Sequence, residues 1–130
     1  MDRSSCCYSI VIGCNQDWPD DRTKYGDIGL AQTLLSSLPP QNVVQVYDDR
    51  ACKSNILEAI SNLGRRDNSG EDAILFYYGG HGKRTDFCTA TRRDDGVREP
   101  WLKHDELVEL FEREFEGCVI WCVIDCCHAG

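Results

Sequence analysis

The sequence predicts an α/β domain, a three-layer α/β/α sandwich built on a mainly parallel sheet. Three observations predict it. Runs of strand-forming residues alternate with runs that keep helical spacing. The strand runs are apolar at nearly every position, as strands buried on both faces must be. Glycine, proline or asparagine marks most changes of period. The 130 residues suffice for one domain with its own core, and we read residues 1–130 as that single domain.

The first strand is Cys7–Cys14 (CYSIVIGC), a β-branched apolar run closed by Gly13 and Asn15. A loop rich in Asp, Pro and Gly follows over residues 15–26. Asp27 then caps a helix whose apolar positions, Ile28, Ala31, Leu34, Leu35 and Leu38, keep helical spacing. Pro39 and Pro40 stop it. Val43, Val44, Val46 and Tyr47 form the second strand. Ile56, Leu57, Ala59, Ile60 and Leu63 form the second helix, which enters near Ser54 and closes at Gly64. Residues 72–78 (DAILFYY) form the third strand, which Gly79 and Gly80 break. Residues 83–100 are polar and irregular, a hairpin or a loop. Leu107, Val108, Leu110, Phe111 and Phe115 mark the third helix, with Asp105 near its start and Gly117 at its end. Residues 118–124 (CVIWCVI) make the fourth strand. In sheets of this kind, sites form beyond the carboxyl ends of the strands. That rule selects residues 14–17, 79–83 and 125–130.

Composition narrows the function. Apolar residues make up 42% and charged residues 28%, which excludes a disordered or low-complexity chain. No apolar run approaches the roughly 18 residues of a membrane span. The net charge is −8, so the domain is a poor partner for nucleic acid or an anionic membrane. Nine cysteines with no secretory leader suggest reduced thiols and a cytoplasmic-type compartment. Cys118, Cys122 and Cys126 recur every four residues, so on a strand they share one face. We expect them to pack in the core instead of holding zinc, since no Cys-x-x-Cys pair is present.

The third strand runs into His81 and the fourth into Cys127. If the two strands are neighbours, their axes lie about 4.8 Å apart and the side chains can meet. A Cys–His nucleophilic pair needs that geometry: the imidazole takes the thiol proton and stabilises the thiolate. The N–H groups of Gly82 and Cys127 are candidate oxyanion donors.

The strings FYYGGHG and DCCHAG, in this order and setting, resemble those of the caspase-like cysteine peptidases, and most closely the metacaspases. The resemblance runs along the whole chain and corresponds to the large catalytic subunit, without the small-subunit region that follows it in such enzymes. It implies a caspase-like fold, with His81 as catalytic histidine and Cys127 as nucleophile. It also implies that Asp125, with Asp27, lines the pocket for the residue before the cut bond. Carboxylates there favour Arg or Lys. Calcium is the metal such enzymes take as an activator, and Asp95 and Asp105 are the candidate ligands, with Asp94 beside them. The pair that the family writes Asp-Asp reads His104-Asp105 here. No other cofactor is implied. The expected partners are protein or peptide substrates with Arg or Lys before the cut, and a small-subunit segment or a full-length relative. Two other readings stay open. One is a catalytically incomplete caspase-like interaction or regulatory module. The other is a thiol redox or metal protein, suggested by the cysteine count.

Overall fold

The computed structural model describes residues 7–14, 36, 42–64, 73–93 and 95–128, with side chains throughout these except at 7 and 125–128. Strands β1 (Cys7–Cys14) and β2 (Val43–Tyr47) are followed by a short 3-10 turn, Asp48–Arg50, and helix α1 (Lys53–Gly64). Strand β3 (Ala73–Gly82) leads into two short strands, β4 (Asp86–Phe87) and β5 (Leu102–Lys103). Helix α2 (His104–Glu114) and strand β6 (Val119–His128) complete the order. The helix expected from Asp27, and the loop before it, lie outside the described residues.

Strands β2, β1, β3 and β6 lie side by side and all run parallel. The small β4–β5 ladder is antiparallel and continues from the end of β3. Apolar β-branched and aromatic residues at successive positions form such a sheet because both of its faces exclude water. Residues 83–100, read as a hairpin or a loop, are hairpin-like, with an outer turn closed by Arg93 and Val97.

Alternation along the strands sorts the core into two faces. Ile10, Ile12, Ile74, Phe76 and Tyr78 face α1 and α2, where they meet Ile56, Ile60, Leu107, Leu110 and Phe111. Phe76 and Phe111 pack edge to face, with centroids 5.5 Å apart, a geometry that aromatic quadrupoles favour. Val11 and Tyr77 centre a second cluster on the opposite face, with Val43, Tyr47 and Leu75. Both described helices therefore cover one face of the sheet. The cysteines divide. Cys14, Cys52 and Cys88 are buried, as small hydrophobes are. Cys122 is exposed, against the expectation of core packing. The reason lies in β6, which among the described residues pairs with β3 alone, so that Cys122 stands on an edge strand beside an open groove.

Candidate active site

Strand β3 does not break at its glycines. It runs through Gly79 and Gly80 to Gly82, because β1 pairs with it as far as Gly80 and β6 as far as Gly82. Gly80 is required there. Its φ is +155°, and a Cβ would sit 2.4 Å from the Cys14 carbonyl oxygen and 3.0 Å from Tyr78 Oη. His81 follows directly. Its carbonyl accepts the Cys88 N–H at 2.9 Å and the Tyr78 hydroxyl at 2.8 Å. The Lys83 N–H donates to the Asp86 carbonyl at 2.8 Å and closes the turn into β4. Since β6 holds the other edge of β3, β4 continues along the edge that β1 leaves.

Strand β6 also outruns its expected end, reaching His128. Its backbone register sets Cys127 opposite His81, Asp125 opposite Gly79, and Cys126 opposite Gly80. Partners in a parallel register share a face, and neighbours along a strand alternate. Cys127 and Asp125 therefore share the face of His81, whereas Cys126 belongs to the face that the helices cover. Gly82 and Cys127, the candidate oxyanion donors, both lie inside the paired stretch, where ladder bonds compete for backbone N–H groups.

A second thiol falls beside His81, and sequence reasoning missed it. Cys88, the residue after β4, donates its N–H to the His81 carbonyl and so lies across from His81, but it is only 2% exposed and beyond the reach of a substrate. The signal that could have found it is the Lys83-Arg84-Thr85-Asp86 turn, which fixes the hairpin register. Among the other thiols, Cys122 is exposed as a residue, yet partial desolvation of its sulfur raises it above its ordinary 9.0, making it a poor nucleophile at neutral pH.

Asp27 and Asp94 fall outside the described residues. Asp95 accepts from Arg93 at 2.9 Å and from the Val97 N–H at 3.1 Å at the outer turn, and Asp105 sits in the first turn of α2. Among the described residues no three His, Cys, Asp or Glu side chains group as a metal site. His104 is half-buried against Phe87, with ring centroids 4.4 Å apart, and its Nε2 has no hydrogen-bond partner. No helix among the described residues is long and apolar enough to cross a membrane.

A parallel α/β sheet that sets a cysteine opposite a histidine at its carboxyl edge has the architecture of the caspase-like class. The sequence model of the metacaspase, peptidase C14 domain matches residues 21–130. The chain belongs to this family of cysteine peptidases. It is similar to Metacaspase-7 of Arabidopsis thaliana, 36% identical over 58% of this chain and 20% of the relative. Metacaspase-8 of the same plant is 29% identical over 68% of this chain and 26% of the relative. The chain thus spans about a quarter or less of these relatives' length. A crystal structure of a Geobacter sulfurreducens protein superposes with a TM-score of 0.65, at 19% identity, over 96% of this chain and 52% of that one. At that identity the likeness concerns the fold alone.

Proposed function

We propose that the chain carries the catalytic dyad of a metacaspase-type cysteine endopeptidase that cuts after Arg or Lys. The observation that carries this reading is the register of His81 and Cys127 on one face of neighbouring parallel strands. The Cys127 thiol gives its proton to the His81 imidazole, and the thiolate adds to the peptide carbonyl. The C–N bond breaks as His81 returns the proton to the leaving amine. Water, deprotonated by His81, then hydrolyses the thioester. Gly82 and Cys127 supply oxyanion N–H groups once the end of β6 frees them from the ladder. Asp125 stands on the dyad's face opposite Gly79, which offers no side chain to fill the space, and Asp27 is the second candidate carboxylate for a cationic substrate residue. Calcium is a proposed activator, with Asp95 and Asp105 as its candidate ligands. The cysteine-rich composition supports a reducing, cytoplasmic-type setting.

The test is turnover of an Arg-terminated reporter peptide by the chain, alone and joined to the remainder of a metacaspase catalytic domain. Cys127→Ala is expected to lower turnover by about a thousandfold or more, and Cys126→Ala to leave most of it. The reverse pattern would assign the nucleophile to Cys126. A second reading, a regulatory module that pairs with a small-subunit segment or a full-length relative, is favoured by the exposed apolar residues of β6, Val119, Trp121, Val123 and Ile124. Stable binding of a full-length relative with no turnover in either form would select it.

A further inference from the structure

We propose that Tyr78 is a positioning residue for His81, a role that rests on the Cys–His reading above. Tyr78 is 1% exposed, on the helix-facing side of β3, with its ring 4.7 Å from that of Phe87. Its hydroxyl reaches three residues ahead and donates to the His81 carbonyl at 2.8 Å. The same oxygen accepts the Cys88 N–H at 2.9 Å. A carbonyl oxygen has two lone pairs, and here both are engaged, one from the adjoining strand and one from beneath the sheet. Gly80 makes this possible. A Cβ at residue 80 would stand 3.0 Å from Tyr78 Oη and 3.3 Å from Cζ, so the phenol lies along the strand where a larger residue would block it.

The consequence falls on the imidazole. Two bonds from different directions fix the tilt of the peptide that follows His81, and with it the Cα–Cβ vector of the residue whose register partner on β6 is Cys127. Strand β6 pairs with this stretch along the other edge, through Gly82 and His128, and the phenol adds a restraint from beneath the sheet that neither ladder supplies. Strand β4 is only two residues long, so it adds little restraint of its own. A buried phenol needs some acceptor in any protein. What marks this one is that its acceptor belongs to the residue facing Cys127.

The experiment follows Cys127 alkylation by iodoacetamide against pH in the intact chain, read at that cysteine by mass spectrometry, with folding checked by circular dichroism. His81→Ala is expected to raise the alkylation midpoint. If it does not, the Cys–His reading itself fails. Given that shift, Tyr78→Phe keeps the ring, loses the hydroxyl and is expected to move the midpoint part of the way, slowing alkylation at neutral pH about threefold to tenfold. In the His81→Ala background the same substitution is expected to change nothing more. A Tyr78→Phe profile equal to the parent's, or an effect of the same size with His81 gone, would overturn the positioning role while leaving the dyad standing.

Discussion

At the scale of single residues, the glycine ahead of His81 decides more than either thiol. Gly80 has a backbone carbonyl where its Cβ would be, at 2.4 Å, and a backbone atom cannot swing aside as a flexible side chain can. Gly96 offers the contrast: its φ is +84°, yet a Cβ there meets nothing within 4 Å. Gly96→Ala therefore suffers only the left-handed conformational penalty, about 1 kcal/mol. Gly80→Ala adds a collision between strands and is expected to cost about 2 kcal/mol or more. Urea unfolding of the two variants checks this, and equal midpoints would show that β1 and β3 yield at Gly80. Because His81 is the next residue, Gly80→Ala is also expected to slow Cys127 alkylation at neutral pH, whereas Gly96→Ala is not.

At the scale of elements, helix α1 has no acidic residue in its first turn and borrows one from a distant loop. Glu99 accepts the Ser54 N–H at 2.8 Å and the Ser54 hydroxyl at 2.5 Å, and Arg93 lies 3.4 Å away. Burial pushes the Glu99 carboxyl up, but the bonds from Ser54 and the charge of Arg93 outweigh it, and the group titrates below its ordinary 4.5. A carboxyl depressed by folding stabilises the native state above the unfolded pKa, and that contribution is lost as pH falls through the folded value. Glu99→Gln is therefore expected to destabilise at neutral pH, by about 1 kcal/mol as for a lost helix cap, and to converge with the parent in acid. A gap between the two unfolding curves that stays constant from pH 7 to below pH 4 (roughly the carboxylate range) would show that the charge is irrelevant. Sequence could not find this contact, since Ser54 and Glu99 are 45 positions apart and neither belongs to a periodic run. Strands of two residues, such as β4 and β5, have no period to read either. The long apolar runs were legible because their pattern reports burial on both faces. Their ends were not, because Gly79, Gly80 and Asp125 look like breakers locally and are held in the ladder by their neighbours. Of the candidate site, the sequence set His81 and Cys127 at the ends of two strand runs, and that these two positions are register partners, with Cys126 opposite Gly80 instead, is visible only in the sheet.

At the scale of the whole molecule, the sheet is covered unevenly. β3 is flanked on both sides over its length, whereas among the described residues β6 pairs on one side and exposes apolar side chains on both faces. Trp121 is 66% exposed on the face of His81 and Cys127, and Ile124 is 42% exposed on the face of the helices. A ten-residue strand whose first six residues are apolar, with an edge left open among the described residues, is a template for another chain. A groove of about 550 Å³ runs beside it, floored by Phe111, Phe115 and Ile120 and rimmed by Glu112 and Glu116. If these side chains meet only solvent, replacing them disturbs association but not folding. Trp121→Glu and Ile124→Lys are then expected to reduce apolar dye binding and concentration-dependent light scattering, with unfolding free energy changed by no more than about 0.5 kcal/mol. Core substitutions set the comparison: Phe76→Ala is expected to cost about 3 kcal/mol or more, since its ring is wholly enclosed. A loss at Trp121 approaching that of Phe76 would mean that the β6 face is covered in solution by a second copy. In that case the gap between parent and variant should narrow on dilution, because the parent loses an association that supports its fold while the variant has none to lose.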